Sequence, residues 1–99
     1  MITITKLKLN DESLLEDWKV LSKKINADLA EVDGFISRDV VRGEDGVIYC
    51  IIKWESKEHQ EKFQSHTMSH TDDEFQKMFA ELGRVMNMES MTREFFEVL

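Results

Sequence analysis

The feature that most constrains the fold is a predicted β-hairpin between Val32 and Ser56. Phe35 to Arg42 and Val47 to Trp54 are both rich in β-branched and aromatic residues, which favour extended backbone within a sheet. The connection between these arms contains Asp45-Gly46, a pair that tolerates the positive φ required at a hairpin tip. Asp33-Gly34 predicts a second turn, just before the first arm. We therefore expect the rest of the chain either to cover this hairpin or to pair with it.

The composition predicts one small domain that spans residues 1–99. The 99 residues carry 20 acidic and 13 basic side chains, which gives a net charge of −7. Nucleic acids and anionic membranes are bound mainly through basic patches, so this balance argues against both as partners. No apolar run is long enough to span a membrane. The single cysteine, Cys50, excludes an internal disulfide and favours the reducing cytoplasm.

The first third of the chain predicts a strand followed by a long helix. In residues 1–9 the apolar side chains switch from even to odd positions after Ile4, which indicates either a bulge near Thr5-Lys6 or burial of both faces. Asn10 or Asp11 then caps a helix. Along this helix, apolar residues recur at spacings of three and four and form one stripe: Leu14, Trp18, Leu21, Ile25 and Leu29.

Two further helices are predicted after the hairpin. Ser56 is a candidate N-cap for the first of them, residues 57–66, and residues 65–71 carry no regular pattern. A Thr-Asp-Asp-Glu capping box at 71–74 starts the next helix. Gly83 stands where the residue just beyond the end of that helix is expected.

The order of these elements predicts the fold class. Strand character returns at residues 93–98, so the chain is predicted to be β-α-β-β-α-β with the second helical region divided in two. This order is typical of the split βαβ, ferredoxin-like α+β fold, in which helices cover one face of a four-stranded antiparallel sheet.

Both faces of the hairpin's second arm are apolar. One alternating set contains Ile48, Cys50, Ile52 and Trp54, and the other contains Val47, Tyr49, Ile51 and Lys53. An antiparallel sheet with one solvated face should show one polar set. Because helices are predicted on one face only, we expect the other face to pack against a second copy of the chain about a two-fold axis, as an obligate homodimer. A monomer that leaves these side chains exposed is the alternative.

The hairpin and the residues around it also carry a family pattern. The pattern is V-D-G-F-I-S-R, then a glycine-containing turn, then V-I-Y-C-I-I-K-W-E-S-K-E-H. It resembles the antibiotic biosynthesis monooxygenase-like family of dimeric α/β barrels, in which a Gly-Phe turn leads to a hairpin that ends in Trp before a helix. The match centres on Gly34-Phe35 and on Trp54-Glu55-Ser56, with Asp33 where the family has proline.

The resemblance implies a small cofactor-independent monooxygenase that acts on an apolar or aromatic metabolite. The family also includes haem-degrading enzymes and autoinducer-processing isomerases. Trp54 matches the family's pocket Trp, on the helix side of the sheet, and Cys50 stands where the aromatic oxygenases have asparagine. The family's Tyr and Arg in the following helix have no counterpart here. Haem-degrading members use an Asn in the first strand, which residues 1–9 lack, and a later His, for which His66 or His70 is a candidate.

The resemblance and the residue types together give the candidate site. As catalytic groups we predict Trp54, His66 and His70, with one histidine acting as a general base near neutral pH. The substrate pocket is predicted to include Cys50, Ile52, Phe63, Trp18 and Met78. These residue types are also common in protein cores, so a purely structural role is the alternative for each of them. His66 and His70 have the spacing of metal ligands only if both lie in one helix, and no metal site is predicted.

Two functions of different kinds remain open. One is an enzyme that binds its substrate between sheet and helices, needs no bound cofactor, and uses Trp54 and Phe63 as pocket walls. The other is a non-catalytic dimeric module that binds a small ligand, which Cys50 in place of the asparagine favours. A haem-binding or haem-degrading relative is a further alternative, and only in that case is haem the expected cofactor.

Overall fold

The computed structural model of the chain describes residues 1–69 and 73–99, and within them every side chain except those of residues 66–69, 74 and 75. The elements follow in this order: β1 (Ile2–Leu9), a short helical turn (Glu12–Leu14), α1 (Leu15–Leu29), β2 (Phe35–Arg42), β3 (Ile48–Trp54), α2 (Lys57–Ser69), α3 (Asp73–Val85) and β4 (Met86–Phe96). This order confirms the predicted ferredoxin-like α+β fold, with the second helical region divided between α2 and α3.

The four strands form one antiparallel sheet in the order β2-β3-β1-β4. The predicted hairpin of β2 and β3 therefore forms one side of the sheet, and β1 joins it to the C-terminal strand. At the hairpin tip, Gly43 N donates to Val47 O at 2.9 Å and Gly46 N donates to Gly43 O at 3.0 Å. Gly46 has a φ of 83°, as expected of the Asp-Gly pair.

One face of the sheet packs against the helices. Trp18 and Leu21 of α1 form a buried cluster with Leu7 of β1 and with Ile48 and Cys50 of β3. Because side chains alternate along a strand, these residues define one face, which we call the helix face. The predicted stripe of α1 is confirmed, since Trp18, Leu21 and Leu29 are buried and its other two members are half-buried.

The change of phase in β1 arises because apolar side chains lie on both faces of the strand. Residues 2–7 pair without interruption with residues 53–48 of β3, so β1 itself contains no bulge against this neighbour. The irregularity lies between β1 and β4, where Lys6 pairs with Thr92 but Lys8 pairs with Asn87. Ile2 and Ile4 therefore lie on the face opposite the helices, which we call the open face.

The end of α3 corrects one prediction. The helix continues through Gly83 to Val85, and Gly83 does not have a positive φ, so its predicted place beyond the helix end is wrong. Asn10 does the capping instead. Its Nδ2 lies 3.2, 2.8 and 3.2 Å from the backbone oxygens of Gly83, Arg84 and Met86, and its backbone N donates to Val85 O at 2.9 Å.

Two other boundaries also differ from the predictions. Residues 65–69, predicted to be irregular, belong to α2, and β4 begins at Met86 rather than near residue 93. The predicted capping box at 71–74 lies partly outside the described residues. Asp11 confirms its predicted role, because its Oδ1 accepts a hydrogen bond from Ser13 N at 2.9 Å. Among the described residues, no helix is both long and apolar enough to cross a membrane.

Candidate functional site

Trp54, at the end of β3, is enclosed by two other aromatic rings. Only 2% of its surface is exposed. The Phe35 ring meets the indole edge-on at 6.0 Å between centroids, and the Phe63 ring of α2 lies at 5.3 Å. The backbone N of Trp54 donates to Met1 O at 2.8 Å, which fixes the end of the strand. The structure thus brings the two predicted pocket walls, Trp54 and Phe63, into direct contact.

The Gly-Phe turn of the family pattern packs against the start of α2. Gly34 has a φ of 82°, and a Cβ at this position would overlap the His59 ring. Ser56 is the predicted N-cap, and its Oγ accepts a hydrogen bond from His59 N at 3.2 Å. The same Oγ lies 2.7 Å from His59 Nδ1, and His59 Nε2 lies 3.5 Å from Asp33 Oδ2. Gly34 and Ser56 therefore hold the hairpin against α2.

Cys50 belongs to a polar cluster that joins β2 and β3 to α1. Arg38 Nη2 lies 3.8 Å from Cys50 Sγ. Arg38 Nη1 donates to Ser22 Oγ at 2.8 Å and to Asn26 Oδ1 at 2.6 Å. Burial raises the pKa of the Cys50 thiol above its ordinary value of 9.0, and the Arg38 charge and hydrogen bond oppose this only in part. Cys50 is therefore a neutral thiol at neutral pH.

Arg38 is the site residue that the sequence reasoning missed. It pairs with Ile52 across the hairpin, so its side chain lies on the helix face beside Cys50. The alternation of side chains along the strand could have placed Arg38 on this face, because Arg38 has the same parity as Val40, which pairs with Cys50. What the alternation does not give is the partner, since Ser22 lies 16 residues earlier in the chain.

A groove of about 480 Å³ lies between α1 and the β2–β3 hairpin. Trp18 and Ile48 form its floor, and each is almost completely buried. Its apolar walls are formed by Leu15, Val20 and Val40. Ser22 also lines the groove, and the hydrogen bond from Arg38 to Ser22 connects this wall to the Cys50 cluster.

The predicted site residues therefore fall into two groups on the helix face. Trp18 lines the groove, and Cys50 lies beside it as the cross-strand partner of Val40. Trp54 lies against Phe63 of α2, and neither is among the residues that line the groove. Ile52 and Met78 are half-buried, on β3 and α3 respectively. The side chain of His66 and the whole of His70 lie outside the described residues.

One buried polar atom on the helix face makes no hydrogen bond to any of the described residues. Thr3 is 4% exposed and pairs with Ile52, and its Oγ1 makes no hydrogen bond within the described part of the chain. Within that same part, no three His, Cys, Asp or Glu side chains lie close enough together to hold a metal ion.

Comparisons with known proteins support the family resemblance through the fold. No protein-family model matches the sequence, and no curated protein matches it either. Among solved structures, SnoaB, a cofactor-independent oxygenase from Streptomyces nogalater, matches with a TM-score of 0.73 and 11% identity, over 99% of this chain and 91% of that one. The chain has the fold of this oxygenase.

Two further structures give the same result. An antibiotic biosynthesis monooxygenase matches with a TM-score of 0.68 and 9% identity, over 100% of this chain and 99% of that one. A conserved protein of unknown function from Bacteroides thetaiotaomicron matches with a TM-score of 0.67 and 16% identity, over 98% of this chain and 96% of that one. At such identities the likeness establishes the shared fold, and function has to be argued from the site.

Proposed function

We propose that the chain is a small cofactor-independent monooxygenase that acts on an apolar or aromatic metabolite bound between the sheet and the helices. The observation that carries this proposal is the apolar groove between α1 and the hairpin, in a fold shared with the cofactor-independent oxygenase SnoaB. A volume of about 480 Å³ is within the range of small-molecule sites. The apolar walls formed by Leu15, Val20 and Val40 suit contact with an uncharged aromatic ring.

The chemistry requires little of the protein beyond binding and a base. A deprotonated phenol or quinol can itself pass electrons to oxygen, so the protein would supply orientation, exclusion of water and removal of a proton. His66 and His70 remain the proposed candidates for the base, whereas Trp54 is not among the residues that line the groove and is not proposed to touch a substrate bound there.

We also propose that the chain works as a homodimer in the cytoplasm. The open face carries Ile4, Tyr49 and Ile51, which are half-buried, together with Val41 and Phe96, which are 49% and 42% exposed. An apolar surface of this kind on one sheet suits packing against the same surface of a second copy. The groove lies on the helix face, so this dimer leaves it accessible.

Oxygen uptake with a panel of phenols, quinols and catechols tests the enzyme proposal. The blocking variant is Val20→Trp, because Val20 is 57% exposed and lines the groove, so a larger side chain fills the groove without disturbing the core. The matched control is Ala27→Trp, at an exposed position of α1 outside the groove. We expect turnover by the native chain and by Ala27→Trp, and its loss in Val20→Trp. Equal turnover in the two variants would contradict the assignment of the groove.

A non-catalytic ligand-binding module is the second candidate, and Cys50 is the observation that favours it. A buried neutral thiol is a weak donor and cannot replace the paired donor and acceptor of an amide. On this alternative, the groove binds its ligand but no member of the panel is oxidised. Ligand binding without oxygen uptake would therefore support the module over the enzyme.

A further inference from the structure

The groove carries a local excess of positive charge in a chain whose net charge is −7. Lys19, Lys23, Arg42 and Glu16 are the charged side chains that line it. Glu16 is engaged, because its Oε1 lies 3.2 Å from Lys19 Nζ. Neither Lys23 nor Arg42 has an ion-pair partner in the part of the chain that the structure describes. Two uncompensated cations therefore border the apolar walls.

We propose that this groove binds an organic anion, namely a ring system that carries a carboxylate. The ring would lie against Val20 and Val40, above the floor formed by Trp18, and the carboxylate would point to the rim that carries Lys23 and Arg42. This inference rests on the proposed function for the place of the site, and it adds the chemical class of the ligand.

The charge distribution is what selects an anion. Twenty acidic side chains against thirteen basic ones repel an anion from most of the surface, so a local reversal of sign has to be created by specific residues. The apolar walls reduce access of water, which strengthens the attraction between a bound carboxylate and nearby cations. The planar guanidinium of Arg42 can donate two hydrogen bonds to one carboxylate. A neutral ring of the same shape gains the apolar contact alone.

Calorimetric titration of the native chain with 2-naphthoate and with 2-naphthamide measures this preference. The two probes share the ring and differ in charge. We expect the carboxylate to bind at least about fivefold more tightly than the amide, and the difference to shrink as salt is raised. Equal affinity for the two probes would overturn the proposal, and so would a preference for the amide.

Single substitutions at the groove assign the preference to named side chains. Lys23→Gln and Arg42→Gln should each weaken carboxylate binding about two- to fivefold and leave amide binding unchanged. Lys24→Gln is the matched control, because Lys24 is the exposed neighbour of Lys23 on α1 and does not line the groove. Glu16→Gln should tighten carboxylate binding, since it releases Lys19 from its partner. An equal loss in Lys23→Gln and Lys24→Gln would contradict the site.

The position of the bound probe is read from the two indole N–H signals of the isotope-labelled native chain. The chain contains two tryptophans, of which Trp18 lines the groove and Trp54 lies against Phe63 of α2. We expect 2-naphthoate to shift the Trp18 signal and not the Trp54 signal. The reverse pattern would place the ligand elsewhere. None of these measurements depends on turnover. Carboxylate binding without oxygen uptake would therefore contradict only the enzyme proposal. Turnover without a charge preference would contradict only this inference.

Discussion

Arg38 of β2 and Ser22 of α1 are joined by a hydrogen bond of 2.8 Å between Nη1 and Oγ, which connects α1 to the outer strand of the sheet. The same Nη1 also donates to the Ser22 carbonyl oxygen at 3.2 Å and to Asn26 Oδ1 at 2.6 Å. This cluster closes one wall of the groove and holds the guanidinium beside Cys50. We therefore expect the loss of this cluster to lower the stability of the fold more than it changes any reaction.

We expect Arg38→Gln to lower the free energy of unfolding by about 1–3 kcal/mol, because the buried acceptors of Ser22 lose their charged donor. Chemical denaturation measures this change. Arg42→Gln is the control on the same strand, and it should stay within about 0.5 kcal/mol of the native chain because Arg42 is exposed and has no ion-pair partner among the described residues. Similar losses in the two variants would contradict a structural role for the Arg38 cluster.

We expect Gly34→Ala to destabilise the chain more than Gly46→Ala. Both glycines have positive φ, so each substitution costs about 1–2 kcal/mol of backbone strain. Only at Gly34 does the new Cβ also meet another side chain, the His59 ring. Denaturation of the double variant Gly34→Ala/His59→Gly isolates that contact, because the His59 Cβ also lies within clash distance of the new Cβ and alanine would retain it. It should be more stable than the sum of the two single losses predicts, and strict additivity would mean that the clash is absent.

We expect stability to fall above about pH 9 through Cys50. Burial raises the pKa of this thiol, so the unfolded chain releases the proton near pH 9.0 while the folded chain still holds it. The contribution to stability is complete below the unfolded pKa and is lost as the pH rises through the folded pKa. Denaturation of the native chain and of Cys50→Ala over roughly pH 7–11 measures this difference. Parallel curves for the two proteins would show that the thiol titrates alike in both states.

We expect light scattering to give twice the chain mass of 11.7 kDa, since the open face is proposed to pack against a second copy. Ile51→Asp places a charge in the middle of that face and should give the mass of one chain. Val20→Asp introduces the same charge on the helix side and should leave the larger mass unchanged. A native chain that scatters as a monomer would remove the dimer proposal.

Local signals in the sequence predicted most of the fold correctly. The hairpin, the stripe of α1 and the caps at Asp11 and Ser56 depend on residues a few positions apart, so the sequence contains the information. Gly83 was misjudged because the residue that caps its helix, Asn10, lies 73 positions away. The start of β4 was missed because its early residues pair with β1 beyond an irregularity that no local pattern reveals.

The candidate site was harder to predict than the fold, because it depends on contacts between residues that are far apart in the chain. The family pattern indicated Trp54, and Phe63 was predicted beside it as a second pocket wall; the structure places the two rings in contact. The groove depends on how α1 lies across the hairpin, and the Arg38 cluster depends on contacts between residues 12 and 16 positions apart. Such contacts follow from the packing angle of a helix on a sheet rather than from periodicity.

The most direct test of the central claim is mass analysis of products formed under heavy-isotope oxygen gas. One labelled oxygen atom should enter an apolar or aromatic substrate in the presence of the native chain and of Ala27→Trp, and the labelled product should disappear with Val20→Trp. If the native chain binds such compounds but no labelled product forms from any of them, the groove is a binding site and the chain is not a monooxygenase.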